Sequence, residues 1–305
     1  MLPIASFLCD VLPAKSNDPY YYKNFLISYT LITVPAVFSQ GVLTPGPYEG
    51  CSREDIDTDV NEFIQKLPER SEHRRKIFRD YSRAAMIDPG IMVQDNEGRT
   101  FFSNIFEERS NEVGLSNREL ILAALNSSAY LSYFGLFEET LSRLHWNEIG
   151  RKVGGEKSSA AEAISRQLRE VLEAKKIFDI FTIKLAERSK FFANFETLSK
   201  TWSLLNLIRN RLVHHGSYYT VAYAKKLDES LEAIFETFQD GEYILERSLF
   251  LDSFEPLVVE AQETHRLTFC DALENCMRNL TLFVMESLVL SEREARKKIK
   301  THRMR

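Results

Sequence analysis

Residues 197–215 read TLSKTWSLLNLIRNRLVHH, and this stretch decides how the rest of the chain is read. At about 100° per residue, Leu198, Trp202, Leu205 and Leu212 fall within about 40° of one line, the stripe of an amphipathic helix rather than the alternation of a strand. Arg209 falls at about 20°, inside that stripe, where a charge is expected to be buried and therefore paired. Gly216 follows His214 and His215 as a natural residue just past a helix end. The pattern predicts a helix over Thr197–His215 whose last two turns carry Arg209-Asn210-Arg211-Leu212-Val213-His214.

Outward from that helix, the same periodicity recurs. Ser116-Asn117-Arg118-Glu119 has the Ser-x-x-Glu spacing of a capping box, and an apolar helix is expected from there to Trp146. Ala160–Ser189 and Ala261–Arg296 read as further long helices, and Ala222–Phe238 as a shorter one. Gly154-Gly155 marks a loop, and Tyr243–Phe250 a short extended piece. The fold class is therefore mainly α: a helical bundle over residues 116–292. Residues 1–115 form a mostly helical but irregular extension. Thr44-Pro45-Gly46-Pro47 breaks it, two helical pieces are expected within 53–86, and Ile91–Gln94 with Arg99–Phe102 is the one candidate hairpin. Residues 293–305 form a basic C-terminal tail.

The bulk numbers fit this picture. At 305 residues, with 44% hydrophobic and 27% charged content, the chain has material for a sizeable core and the balance of a soluble globular protein. The cysteines Cys9, Cys51, Cys270 and Cys276 lack Cys-x-x-Cys or zinc-finger spacing, so reduced thiols and a cytoplasmic setting are expected. The apolar run Phe25–Phe38 is interrupted by Pro35 and too short to span a bilayer, so it reads as core, and no membrane association is expected. A net charge of −5 argues against coating nucleic acid by bulk electrostatics. Residues 291–305 nevertheless hold seven Lys or Arg and two Glu. Such a segment suits the C-terminal end of a helix dipole and offers a second contact for phosphates. His73-Arg74-Arg75-Lys76 reads as a solvated basic face.

The helix end carries the chemistry. A guanidinium, an amide and an imidazole within one and a half turns are the inventory for binding and cleaving a phosphodiester without a metal or cofactor. On the helix from Ser116, Leu120, Leu131, Phe134 and Leu141 define an apolar line, and Glu138 lies on it. Glu138 is thus the expected ion-pair partner of Arg209. Asn210 and His214, four apart, share a face, whereas His214 lies about 140° from Arg209. One straight helix does not close Arg209 and His214 around one phosphate, so the site requires either a loosened helix end or a second chain.

The string Arg209-Asn210-Arg211-Leu212-Val213-His214 resembles the Arg-x(4 to 6)-His signature of the HEPN superfamily, with its frequent Asn after the Arg. The resemblance covers this motif and the helical pattern of about residues 116–292. It implies a helical bundle that dimerises so that two motifs form one cleft, a metal-independent endoribonuclease, and a role as toxin or antiphage effector. By that resemblance Arg209, Asn210 and His214 are catalytic, and the partners to expect besides RNA are an antitoxin or a regulator. Arg211 and His215 are second-line candidates for substrate contact. One toxin subgroup carries a Tyr two residues after the His; here that position is Gly216, with Tyr218 and Tyr219 beyond it. The competing reading is a non-catalytic module of the same superfamily that binds RNA, nucleotide or protein. No Gly-rich phosphate loop, paired-His metal spacing or nucleophile elbow directs the chain to another chemistry.

Overall fold

The computed structural model describes residues 4, 9–43, 108, 111–112, 117–150, 160–192, 194–215, 220–238, 269 and 271–303. Among these, seven helices account for the architecture: α1 Tyr20–Leu43, α2 Asn117–Ile149, α3 Ala160–Ala174, α4 Phe178–Arg188, α5 Phe195–His215, α6 Val221–Phe235 and α7 Asp271–Arg303, with a 3-10 turn at Lys190–Phe192. No strand occurs among the described residues. The helices expected within 53–86, the hairpin at 91–102, the Ser116 cap and the piece at Tyr243–Phe250 lie outside them.

The chain divides into two compact units, Met1–Val34 with Ser127–Arg305, and Pro35–Asn126. In the second, Leu43 packs on Leu122 with Ile121 beside them, and Gln40 Nε2 donates to Asn126 Oδ1 at 3.0 Å. In the first, α7 is the axis. Every position from Leu273 to Val289 is buried, a helix enclosed on all sides rather than amphipathic. Its apolar core run, Leu280 to Val289, is interrupted only by Thr281, Glu286 and Ser287.

Most buried polar groups on α7 are held by partners, the Ser287 hydroxyl being an exception among the described residues. Glu274 and Arg278 form an ion pair at 3.3 Å, one turn apart and almost wholly enclosed. Further along, the segment before α1 is strapped along α7. Asn279 Nδ2 donates to the Ile4 carbonyl at 2.7 Å, the Leu12 N–H donates to Glu286 Oε1 at 2.6 Å, and Arg293 Nε donates to Asp18 Oδ1 at 2.8 Å. Asn279, Glu286 and Arg293 are seven apart, which puts them on one face of the helix. Arg296 adds a bond to the Asn17 carbonyl at 2.8 Å. Residues 293–303 are thus the last turns of α7, and two of their cations are bound to the N-terminal segment. Arg188 of α4 completes the anchor, its Nε 2.7 Å from Glu286 Oε2. The Cys9 thiol donates to Asn279 Oδ1 at 3.3 Å, and burial pushes it up to about 11.

Two differences from the sequence reading have clear causes. Ala160–Ser189 is two helices, because the chain turns at Lys176, whose φ is 56°. There the Ile177 N–H reaches the Leu172 carbonyl at 2.9 Å and the Lys176 N–H the Glu173 carbonyl at 2.9 Å. This is a Schellman ending with Lys where Gly is usual, so the stop carries no glycine signal. Phe25–Phe38 lies in a helix buried on one face only. Tyr22, Phe25 and Tyr29 are enclosed, with Tyr29 packed against Tyr133 at 5.6 Å between ring centres, while Ile27 and Leu31 face outward, 61% and 70% exposed. By length and composition, Glu119–Ile149 could also cross a membrane, although Tyr130, Phe134, Phe137 and Leu141 are buried within the protein.

Candidate functional site

The site is built at the C-terminal end of α5. Asn194 starts this helix, its Oδ1 accepting from the Thr197 N–H at 2.8 Å. Leu198, Trp202, Leu205 and Ile208 are buried, and the Tyr130 hydroxyl of α2 donates to the Leu205 carbonyl at 2.6 Å. From residue 209 the helix leaves the core. Positions 209–212 are all half-buried, and Val213 and His214 are exposed.

Arg209 keeps its core phase but reaches only half burial, because it sits where the helix emerges. Its guanidinium carbon lies 5.6 Å from the centre of the Phe134 ring, and Phe134 stacks on Trp202 at 4.3 Å with 20° between planes. A cation on an aromatic face, backed by a second ring, fixes the guanidinium without engaging its N–H groups. One of them, on Nη1, donates to Asn210 Oδ1 at 2.9 Å. The other donors of Arg209 make no hydrogen bond among the described residues.

No ion pair or hydrogen bond joins Glu138 to Arg209 among the described residues, although the Arg209 charge acts on the Glu138 carboxyl. The buried stripe of α2 runs through Tyr130, Tyr133, Phe134, Phe137, Leu141 and Leu144, and its centre lies about 90° from Glu138. Leu120 and Leu131, which set the line drawn from sequence, are only half-buried. Glu138 therefore stands at the margin. Its burial raises the carboxyl above the ordinary value, and the nearby Arg209 charge partly offsets that rise. It also lines a groove of about 420 Å³ between α2 and α3, with Gly135, Glu139, Ser142, Ala163 and Ile164.

The remaining motif residues separate. Arg211 lies 4.9 Å over the Tyr223 ring of α6, and its Nη2 donates to Thr220 Oγ1, the α6 cap, at 3.4 Å. That geometry makes Arg211 a corner piece between α5 and α6. His214 is exposed and has no hydrogen-bond or ion-pair partner among the described residues. The His215 side chain, Gly216, Tyr218 and Tyr219 lie outside them. The structure therefore brings Arg209 and Asn210 together and leaves His214 one turn further on.

Sequence reading missed three polar groups. Asn206, one turn before Asn210, is buried with Oδ1 unpartnered, and the Trp202 Nε1–H below it is unpartnered as well. An Asn between Leu205 and Leu207 in a core helix was the available signal. His145 is buried on α2 and lies 2.6 Å from Glu170 of α3, next to a bond from Ser142 to Gln167 at 3.3 Å. These two contacts, each reaching 25 residues on, set the register of α2 on α3.

No protein-family model, curated protein or solved structure matches this chain.

Proposed function

We propose that the protein is a metal-independent endoribonuclease of HEPN type that acts in the cytoplasm as a toxin or antiphage effector. The observation that carries the reading is the Arg209 guanidinium: stacked on Phe134, steadied by Asn210, with most of its donors unengaged, on a helix whose last turn carries an exposed imidazole. A structural arginine at a helix end would be expected to direct those donors to carboxylates or carbonyls.

In this mechanism a phosphate sits on Arg209, which stabilises the charge that grows on the phosphorane oxygens. His214 accepts the proton of the ribose 2′-OH, and the 2′-oxygen attacks phosphorus as the bond to the 5′-oxygen breaks. His214 of a second chain returns a proton to that 5′-oxygen. The products are a 2′,3′-cyclic phosphate and a 5′-hydroxyl. Two chains are invoked because Arg209 and His214 diverge on one helix and do not meet in the monomer.

The test is cleavage of total RNA in EDTA by wild type, Arg209→Ala and His214→Ala. Loss of at least about 100-fold in both variants, with unchanged circular dichroism, is the expected result. Cleavage that survives either substitution, or a wild type that leaves RNA intact, sinks the reading. A second reading, a non-catalytic binding module, is favoured by the bond between Arg209 and Asn210, which ties two motif residues to each other. It predicts RNA retention without cleavage, weakened by Arg209→Ala and indifferent to His214→Ala.

A further inference from the structure

The groove of about 420 Å³ between α2 and α3 adjoins Arg209 without belonging to the motif. Glu138 joins the two. It stands one turn after Phe134, whose ring carries the Arg209 guanidinium, and it also lines the groove. Gly135, Glu139 and Ser142 complete the α2 wall, with Ala163 and Ile164 opposite on α3. Trp146 continues the same line of α2 one turn beyond Ser142, about 12 Å along the axis from Glu138. Its indole is 51% exposed. Gly135 keeps the groove open. Glycine inside a helix is destabilising relative to alanine, yet a Cβ at this position would meet nothing within 4 Å among the described residues. Packing therefore does not require glycine here; a side chain would only take space from the groove.

The lining is selective in its hydrogen bonding. Ser142 donates its hydrogen to Gln167 Oε1 at 3.3 Å, which leaves only lone pairs on its oxygen. Glu139 accepts from Arg143, and Glu138, half-buried, accepts no hydrogen bond among the described residues. Every polar side chain of the lining is thus an acceptor. An occupant must bring donors, and a cationic donor is opposed by the Arg209 charge beside Glu138. Neutral N–H groups remain. With a phosphate on Arg209, the ligand that satisfies both groups is a nucleotide whose base turns N–H groups to Glu138. Of the four RNA bases only guanine has two adjacent donors on one edge, N1–H and the N2 amino group. Adenine and cytosine place a ring acceptor beside their amino group, and uracil flanks its single N–H with carbonyls. An acceptor turned toward a half-buried carboxylate is repelled.

We propose that the groove between α2 and α3 takes a guanine of single-stranded RNA whose adjoining phosphate sits on Arg209. Glu138 accepts from N1–H and the N2 amino group as a bidentate pair, and the ring lies against Ala163 and Ile164. A neighbouring base stacks on Trp146. Paired RNA is refused, because the edge that Glu138 reads is the edge used in base pairing. The inference deepens the ribonuclease reading and rests on it for the phosphate at Arg209.

The experiment titrates full-length protein by calorimetry with the four ribonucleoside 3′-monophosphates, and with deoxyadenosine hexamers that contain or lack one deoxyguanosine. Neither probe can be cut by attack of a 2′-hydroxyl. Guanosine monophosphate should bind at least about tenfold more tightly than the other three, the discrimination of one bidentate pair. Glu138→Gln should level the four, weakening guanosine monophosphate and relieving the repulsion of the others. Gly135→Leu, with an unchanged helical spectrum, should exclude the base and remove the preference as well. Arg209→Ala should weaken all four alike, and Trp146→Ala should weaken the hexamers alone. Equal binding of the four, or a guanine preference that survives Glu138→Gln or Gly135→Leu, overturns the proposal. So does a guanine-containing hexamer that binds no more tightly than guanosine monophosphate, which would assign the groove to a free nucleotide. The ribonuclease reading fails separately: guanine-selective binding by a protein that leaves RNA intact sinks that reading alone. Cleavage of RNA without guanosine beside the cut sinks this inference alone.

Discussion

Two polar clusters sit at two helix ends of the same unit, and they are organised in opposite ways. Around the C-terminal half of α7, Glu286, Arg188, Asp18 and Arg293 each meet a charged or backbone partner, and the carboxylates are enclosed. At the end of α5, Arg209 rests on an aromatic face, Asn210 accepts one bond from it, and His214 stands in solvent. Buried charges are tolerated when paired, so the α7 cluster is held in place by its own ion pairs and backbone bonds. Half-buried groups keep capacity at little cost. The contrast separates charge used for scaffold from charge available for chemistry.

The largest expected effect tests the scaffold side. Glu286→Ala leaves the Arg188 guanidinium and the Leu12 N–H without their carboxylate, and urea denaturation should show a loss of about 3–5 kcal/mol. Arg209→Ala removes a stacked, half-buried cation and should cost no more than about 1 kcal/mol. The reverse order of these two losses would erase the distinction. A smaller effect, about 1.5–3 kcal/mol at pH 7, is expected for Asp18→Asn, which removes charged hydrogen bonds to Arg293. Hydrogen bonding from Arg293 holds the Asp18 carboxyl below its ordinary 3.8, against its burial and with help from the Lys15 N–H. A depressed acid contributes stability that is complete above the unfolded value and lost as pH falls through the folded one. The stability curves of wild type and Asp18→Asn should therefore converge only below pH 3.8.

The same contrast explains what could be read from sequence. Helix identity was legible wherever one apolar stripe recurred, as over Leu198, Trp202 and Leu205, and the ends of α5 came within two residues and those of α6 within three. The α3–α4 break was not, since Lys176 adopts a glycine-like conformation that only the Leu172 carbonyl reveals. Nor was the role of the N-terminal segment legible. Its bonds to Asn279, Glu286 and Arg293 span more than 270 residues, and no local pattern encodes such distant pairing. At the site, phase placed Arg209 on the core side but could not say where the core ends. Glu138 is a charge neighbour of Arg209 rather than a hydrogen-bonded partner for a related reason. A stripe drawn through Leu120 and Leu131 is rotated from the true one by enough to turn a margin residue into a core residue. Phe134 was legible as core, whereas its stacking beneath Arg209 requires two helices to be docked.

The smallest effect bears most directly on that marginal carboxylate. Burial lifts the Glu138 carboxyl above 4.5, and Arg209 only moderates the shift. A folded acid with a raised value holds its proton more tightly than the unfolded chain does. Stability is then lost as pH rises from the unfolded value through the folded one, the opposite sign to Asp18. Glu138→Gln abolishes this titration. At pH 7 the variant should be more stable than wild type by a few tenths of a kcal/mol, and the difference should vanish below pH 4.5. With the negative charge gone from beside Arg209, RNA cleavage should hold or rise modestly and become less sensitive to salt. A variant that is instead destabilised at pH 7 would mean that Glu138 and Arg209 form a net favourable pair in solution. The guanidinium would then be committed to a carboxylate, and the end of α5 would belong with the α7 cluster as scaffold.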